Sequence, residues 1–254
     1  MYLNTRGLIL RETVYRETSK ILTVLTADAG KLTVSAKGAR RRGSKLASGT
    51  QFLTFSDMTL SGSRDRWTMT EASPVEMFEG LREDLERLAL ASYFAQLMET
   101  AADEDTPNPA ILTLGLQALY RLSEGKGDSR LIKAAFELRL MTLAGFAPVL
   151  DACSVCGRTD PQYPRLNLLG GTVRCRDCRT EEPAELTVRL CAGSLAAMRH
   201  VTSCADGKVF SFTMSPEAAG RMEEAAERYL LTQLDRSFGT LEYYKSCRLS
   251  SLPG

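Results

Sequence analysis

Four cysteines constrain this chain more than any other feature. Cys153-Ser154-Val155-Cys156 and Cys175-Arg176-Asp177-Cys178 are two Cys-x-x-Cys pairs separated by 18 residues. Two intervening residues let a tight turn aim both sulfurs at one point, and two such turns supply a tetrahedron of thiolates. Any fold must therefore bring residues 153–156 and 175–178 together. Zn²⁺ is the expected ion, one per chain, and Gly157 follows the first pair where a turn calls for glycine. Four sulfurs complete the coordination shell and leave no position for an activated water, so the expected role is structural. A redox Cys-x-x-Cys accounts for one pair but not for both. Cys191, Cys204 and Cys247 lie outside the pairs and are expected to be small buried apolar residues.

The chain opens Met1-Tyr2-Leu3-Asn4-Thr5-Arg6-Gly7, which offers no apolar signal-peptide core. Its longest apolar stretches, such as Leu140 to Leu150, are interrupted by Thr142 and Pro148 and fall short of the roughly 18 residues a membrane span needs. The expectation is a soluble protein in a reducing compartment, with thiols rather than disulfides. At 254 residues, 44% hydrophobic and 25% charged, the chain has ordinary globular usage, which excludes collagen-like, low-complexity and coiled-coil classes. Its length fits one large or two small domains.

Taken whole, a formal net charge of +1 argues against a strongly basic nucleic-acid binder. The charges are not evenly placed. Residues 1–70 carry twelve basic and five acidic side chains, a net of +7, and the remaining 184 carry a net of −6. Between Asp28 and Asp57 there is no acidic residue, while Lys31, Lys37, Arg40, Arg41, Arg42 and Lys45 all fall in that gap. Such a cluster is the electrostatic footprint of a phosphate-backbone site, against the plainer reading of a solvated loop. Glu71 to Asp105 then holds ten acidic residues and only Arg82 and Arg87, which places a domain boundary near Gly80.

Hydrophobic periodicity changes at the same place. Before it, short β-prone runs recur at Gly7–Tyr15, Lys20–Thr26, Lys31–Lys37, Phe52–Leu60 and Arg66–Thr70, with Ala27-Asp28-Ala29-Gly30 as a hairpin turn. Five short strands in so few residues predict a closed OB-type barrel, because the edges of a small open sheet would need covering. A plain antiparallel sheet is the alternative. From Leu81 the apolar residues Leu81, Leu85, Leu88, Ala95 and Met98 return to one helical face. Further helices are predicted over Ala110–Leu122, Ser129–Ala144 and Pro216 to about Leu234, the last with Ser215 as its cap.

The fold class is therefore α+β: an OB-fold barrel over residues 1–79, a helical domain over 80–148 and 183–254, and a zinc-binding insertion over 149–182. Catalytic patterns are sparse. His200 is the only histidine and is followed by Val201-Thr202, which denies the His-x-Glu pair of a zinc deaminase, and Met198-Arg199 before it carry no nucleophile motif. Gly38-Ala39-Arg40-Arg41-Arg42-Gly43-Ser44-Lys45 has the glycines and cations of a phosphate loop in the wrong order. An enzyme is not expected.

Gly7-Leu8-Ile9-Leu10, the run Lys20 to Thr26, and Gly30-Lys31-Leu32 leading to Ala36-Lys37-Gly38-Ala39-Arg40-Arg41 resemble the N-terminal domain of the RecO recombination mediator family. Phe136 to Pro148, running into Cys153-Ser154-Val155-Cys156-Gly157, resembles that family's central helix and zinc knuckle in the same order. The resemblance covers most of the chain, and nothing is carried over onto residues 180–211. It implies a cytoplasmic, nucleoid-associated bacterial protein that binds single- and double-stranded DNA and anneals complementary strands. It also implies partners: RecR, the C-terminal tail of single-stranded-DNA-binding protein, and RecA indirectly.

The residues support part of this independently. A basic barrel face tracks phosphates by charge, and Tyr2, Tyr15, Phe52, Phe55 and Trp67 are available to stack on bases or to fill the barrel core. Six neutralised phosphates on a single strand give a log–log salt slope near −4. In the alternative reading the protein is an adaptor whose acidic helical half and zinc module hold other proteins, with DNA binding incidental.

Overall fold

The computed structural model describes residues 1–63, 66–178 and 186–250. It divides into two compact units, one formed by residues 1–126 together with the segment from Gly239 onward, the other by residues 127–238. The end of the expected zinc insertion, residues 179–182, and residues 183–185 lie outside the described residues.

The first unit opens with a closed five-stranded barrel, the OB-type architecture that the strand spacing predicts. Its strands are β1 (Tyr2–Tyr15), β2 (Ser19–Thr26), β3 (Gly30–Ala36), β4 (Phe55–Ser63) and β5 (Arg66–Glu76), paired in the order β1-β2-β3-β5-β4 and closed by β4 against β1. The β3–β5 pairing is parallel and the other four are antiparallel. Alternation builds the core: Leu32, Val34 and Ala36 of β3 point inward with Ile9, Leu22, Val24, Leu60, Trp67 and Met69. The β2–β3 turn needs Gly30, whose φ of 68° is left-handed and whose missing Cβ leaves room for the Thr106 backbone. β4 begins at Phe55 rather than Phe52, because Leu53 takes a φ of 61° and interrupts the extended run.

β1 is long because it serves two partners in turn. Tyr2 to Leu8 pair with β4 and Gly7 to Tyr15 with β2, the register shifting between Ile9 and Arg11. Its second half runs on as a hairpin with β2 whose tip is Arg16-Glu17-Thr18, with Glu12 to Tyr15 exposed. After β3, residues 37–45 form the basic loop.

Three helices complete this unit. The first, α1 (Leu85–Ala101), starts four residues later than the apolar spacing predicts, where the Asp84 carboxylate accepts from the Arg87 N–H; a 3₁₀ turn over Glu79–Leu81 precedes it. α1 is buried nearly all round, including Ala89, Leu90, Ala91, Tyr93, Phe94 and Ala95, rather than along one face. α2 (Pro109–Ser123) is capped by Asn108, and α6 (Gly239–Ser250) packs on α1, its Thr240 hydroxyl 2.6 Å from the Gln96 side-chain oxygen.

The second unit contains α3 (Ser129–Leu143), α4 (Ala192–Ser203) and α5 (Pro216–Gln233), with a four-stranded sheet of short strands. These are β6 (Val149–Cys153), β7 (Arg165–Asn167), β8 (Thr172–Arg174) and β9 (Thr187–Arg189), in the order β6-β8-β7-β9. α5 begins as predicted, with the Ser215 hydroxyl accepting from the Ala218 N–H and Pro216 at its first turn. Among the described residues no helix is long and apolar enough to cross a membrane.

Candidate nucleic-acid interface and metal centre

Small residues position the basic loop. Ala39 and Leu46 drop into the barrel core, so the residues between them are held at the surface. Successive turns curl the segment, with the Arg41 N–H donating to the Gly38 carbonyl at 3.0 Å and the Ser44 N–H to the Arg41 carbonyl at 3.0 Å. Gly38 and Gly43 both take positive φ there. Lys37, Arg40, Arg41, Arg42 and Lys45 are all exposed. Among the described residues none of these five is ion-paired: Arg40 spends one N–H on the Glu17 carbonyl, a neutral acceptor.

Lys31 is not brought to that loop. It lies at the opposite end of β3, six residues from Lys37 and so roughly 20 Å along an extended strand. Its ammonium donates to the Glu99 carbonyl at 2.9 Å, while its backbone exchanges hydrogen bonds with Asp103 and Asp105. Lys31 ties α1 and the segment after it to the barrel.

The hairpin tip, which the sequence does not mark as part of the site, is stitched to the basic loop. The Arg40 N–H donates to the Thr18 carbonyl at 2.9 Å and the Gly38 N–H to the Ser19 hydroxyl at 3.3 Å. Between tip and loop lies a recess of about 330 Å³ lined by Tyr15, Arg16, Ser19, Ser35, Lys37 and Arg41, among others. The five barrel aromatics therefore separate by location. Trp67 is 5% exposed in the core, Phe52 and Phe55 are half-buried, and Tyr2 is exposed at the far end of β1. Tyr15 is the one beside the cations.

The second unit gathers the four cysteines. The sulfurs of Cys153, Cys156, Cys175 and Cys178 all lie within 4.8 Å of one another, with Cys156 and Cys175 separated by 3.8 Å. Four thiolates about 2.3 Å from one ion stand ~3.8 Å apart in a tetrahedron, so the residues fit a single tetrahedral ion. Each pair sits on a turn: the Gly157 N–H donates to the Cys153 carbonyl, and Arg176–Cys178 form a 3₁₀ turn. β6 and β8 run parallel and bring Cys153 opposite Val173, which sets the two turns side by side. Arg199 of α4 braces the first turn by donating to the carbonyls of Leu150, Asp151 and Thr159 at 2.8 to 2.9 Å.

The sulfurs share protons unequally. Burial opposes ionisation of Cys153, but N–H groups of Cys156, Cys175 and Val155 outweigh it and bring the thiol down to about 6. Hydrogen bonds with the Cys175 and Cys156 sulfurs push Cys178 up to about 12. Of the remaining cysteines Cys247 is buried, as expected, whereas Cys191 and Cys204 are half-buried, Cys191 capping α4 together with Ser194. His200 bonds the Lys208 carbonyl at 3.0 Å and meets Phe212 edge-on, a structural position.

Fold and sites together define a class: a barrel protein with an exposed basic loop, whose second unit of helices and short strands holds four cysteines arranged to bind a metal ion. Comparison with known proteins gives the family. Residues 1–78 match the model described as "Recombination protein O N terminal", and residues 82–242 the one described as "Recombination protein O C terminal". A protein of Alkaliphilus metalliredigens named DNA repair protein RecO is 30% identical over 246 residues, which span 96% of this chain and 99% of that one. Proteins of the same name from Acetivibrio thermocellus and Symbiobacterium thermophilum are 29% and 30% identical, over 96% of this chain and 97% of each. The chain belongs to the recombination protein O family of DNA repair proteins.

Proposed function

We propose that this protein is a non-catalytic recombination mediator that binds DNA through the loop Lys37–Lys45. It holds single and double strands by their phosphates, anneals complementary strands, and acts with RecR to load RecA onto DNA coated by single-stranded-DNA-binding protein, whose C-terminal tail it engages. The observation that carries this reading is the exposed loop itself, with five cations on a closed barrel that are ion-paired with no acidic group among the described residues. Charge on a strand is neutralised by protein cations, so two coated strands repel less, while contacts to the backbone leave base edges free to find complements. No covalent step is needed. We further infer that the four cysteines hold one Zn²⁺, the ion suited to a closed shell of four soft thiolates, and that it staples the second unit rather than reacting.

The test is annealing of complementary oligonucleotides with and without single-stranded-DNA-binding protein, run beside Arg40→Ala/Arg41→Ala/Arg42→Ala. The triple variant should lose annealing while staying folded, because all three side chains are exposed. Five neutralised phosphates should give a log–log salt slope near −3.5 on a single strand, less steep than a six-cation site that counted Lys31. Lys31→Ala should leave that slope unchanged. Binding indifferent to salt would overturn the proposal.

A further inference from the structure

The recess between the hairpin tip and the basic loop has a shape and chemistry that a general phosphate-binding surface does not need. Tyr15 lines it and is 46% exposed, and the Arg16 guanidinium carbon lies over its ring, 5.2 Å from the centroid. Arg16 holds this place from a φ of 56°, a left-handed conformation that costs a non-glycine residue about 1 kcal/mol or more. Lys37 and Arg41 line the same recess, and among the described residues no acidic one does. Glu17 sits at the tip, where its carbonyl is taken by Arg40, and Glu12 is paired with Lys20 at 2.6 Å. An exposed aromatic ring with a guanidinium over one face, sharing a recess of about 330 Å³ with two further cations, suits a base on the open ring face and its phosphate at the cations.

We infer that this recess is a nucleotide-binding subsite for one unpaired nucleotide: the base stacks on Tyr15 beside Arg16, and its phosphate lies between Lys37 and Arg41. The inference rests on the DNA-binding reading of the basic loop and adds to it a preference for strand that is not base-paired. A base within a duplex is stacked on its neighbours and cannot enter, so the subsite contributes to single-strand binding alone. Stacking is indifferent to base identity, which suits a protein that handles any sequence.

Equilibrium binding of the full chain to three probes tests this: a single-stranded homopolymer, a fully abasic strand of equal length, and a duplex. Tyr15→Ala should weaken homopolymer binding about 5- to 150-fold, the range for loss of one base–aromatic stack. It should leave the abasic strand, the duplex and the salt slope unaltered, and Tyr15→Phe should restore homopolymer affinity. Lys37→Ala should instead weaken all three probes and reduce the single-strand slope by about 0.7. If Tyr15→Ala has the same effect on abasic and ordinary strands, or none on either, the subsite is overturned. Where that occurs while the triple arginine variant still loses binding, the loop reading stands alone; where neither variant loses binding, both fall.

Discussion

At the scale of single residues, Cys153 shows how backbone geometry prepares a metal ligand. Three N–H groups bring its thiol down to about 6 against the burial that opposes ionisation, so this ligand is already a thiolate near neutrality. The folded value lies below the roughly 8.5 of an unfolded cysteine, so the linked stability is present above the unfolded value and is lost as pH falls through about 6. A bound ion acts in the same direction, since protons compete with it for every sulfur. Acidification from pH 8 should therefore release the metal and lower the melting temperature together. A chromogenic chelator and a thermal scan at each pH measure both; metal release that leaves the melting temperature unchanged would contradict the assignment. Arg16 and Lys31 teach a second lesson at this scale. Both are cations near a basic run in the chain, yet one leans on Tyr15 at the loop and the other is spent on the Glu99 carbonyl.

At the scale of elements, α3 and α5 are joined by a buried charge cluster rather than by apolar packing alone. Lys133 is 1% exposed at its side chain, and its ammonium lies 2.9 Å from a Glu137 oxygen and 2.8 Å from a Glu227 oxygen. Burial pulls the ammonium pKa down, but the two carboxylates outweigh it and hold the charge firmly. Lys133→Met should cost about 3–5 kcal/mol in denaturant unfolding, because it removes the ammonium that the Glu137 and Glu227 carboxylates share, and adding Glu137→Leu should recover part of that loss. A single variant as stable as the parent would refute this account.

Elements also mark what sequence reveals. The barrel strands and α2, α3 and α5 were legible because period-two and helical spacing, the Ser215 cap, and turn glycines such as Gly30 are local signals. α4 escaped notice because its cap is Cys191 rather than an oxygen-bearing residue, and α6 because Gly239-Thr240 and paired tyrosines read poorly as helix. The strands β7 to β9, at three residues each, are too short to show alternation. The four metal ligands were plain because a fixed spacing betrays them. The place of Tyr15 was not, since it depends on β1–β2–β3 register, which sets residues 15–19 beside 37–41.

At the scale of the whole molecule, the two sites belong to different compact units, the basic loop to the first and the cysteine cluster to the second. Their failures should be separable. Chelation should raise amide exchange across residues 149–178 and leave the salt slope of strand binding in place, while the triple arginine variant should lose strand binding and keep its metal. Loss of strand binding on chelation as complete as in the triple variant would show that the loop depends on the ion.

The first unit is also discontinuous: its last helix, α6, follows the entire second unit in the chain, and Leu241 and Tyr244 of that helix are buried. Domains fold as units while synthesis proceeds from the N-terminus. The barrel leaves the ribosome first, yet α1 must wait for more than a hundred further residues before its partner helix exists. The metal-binding unit is finished earlier, so the part of the protein that begins first is completed last. A ribosome stalled before Gly239 would hold a complete cysteine cluster beside an unfinished barrel unit.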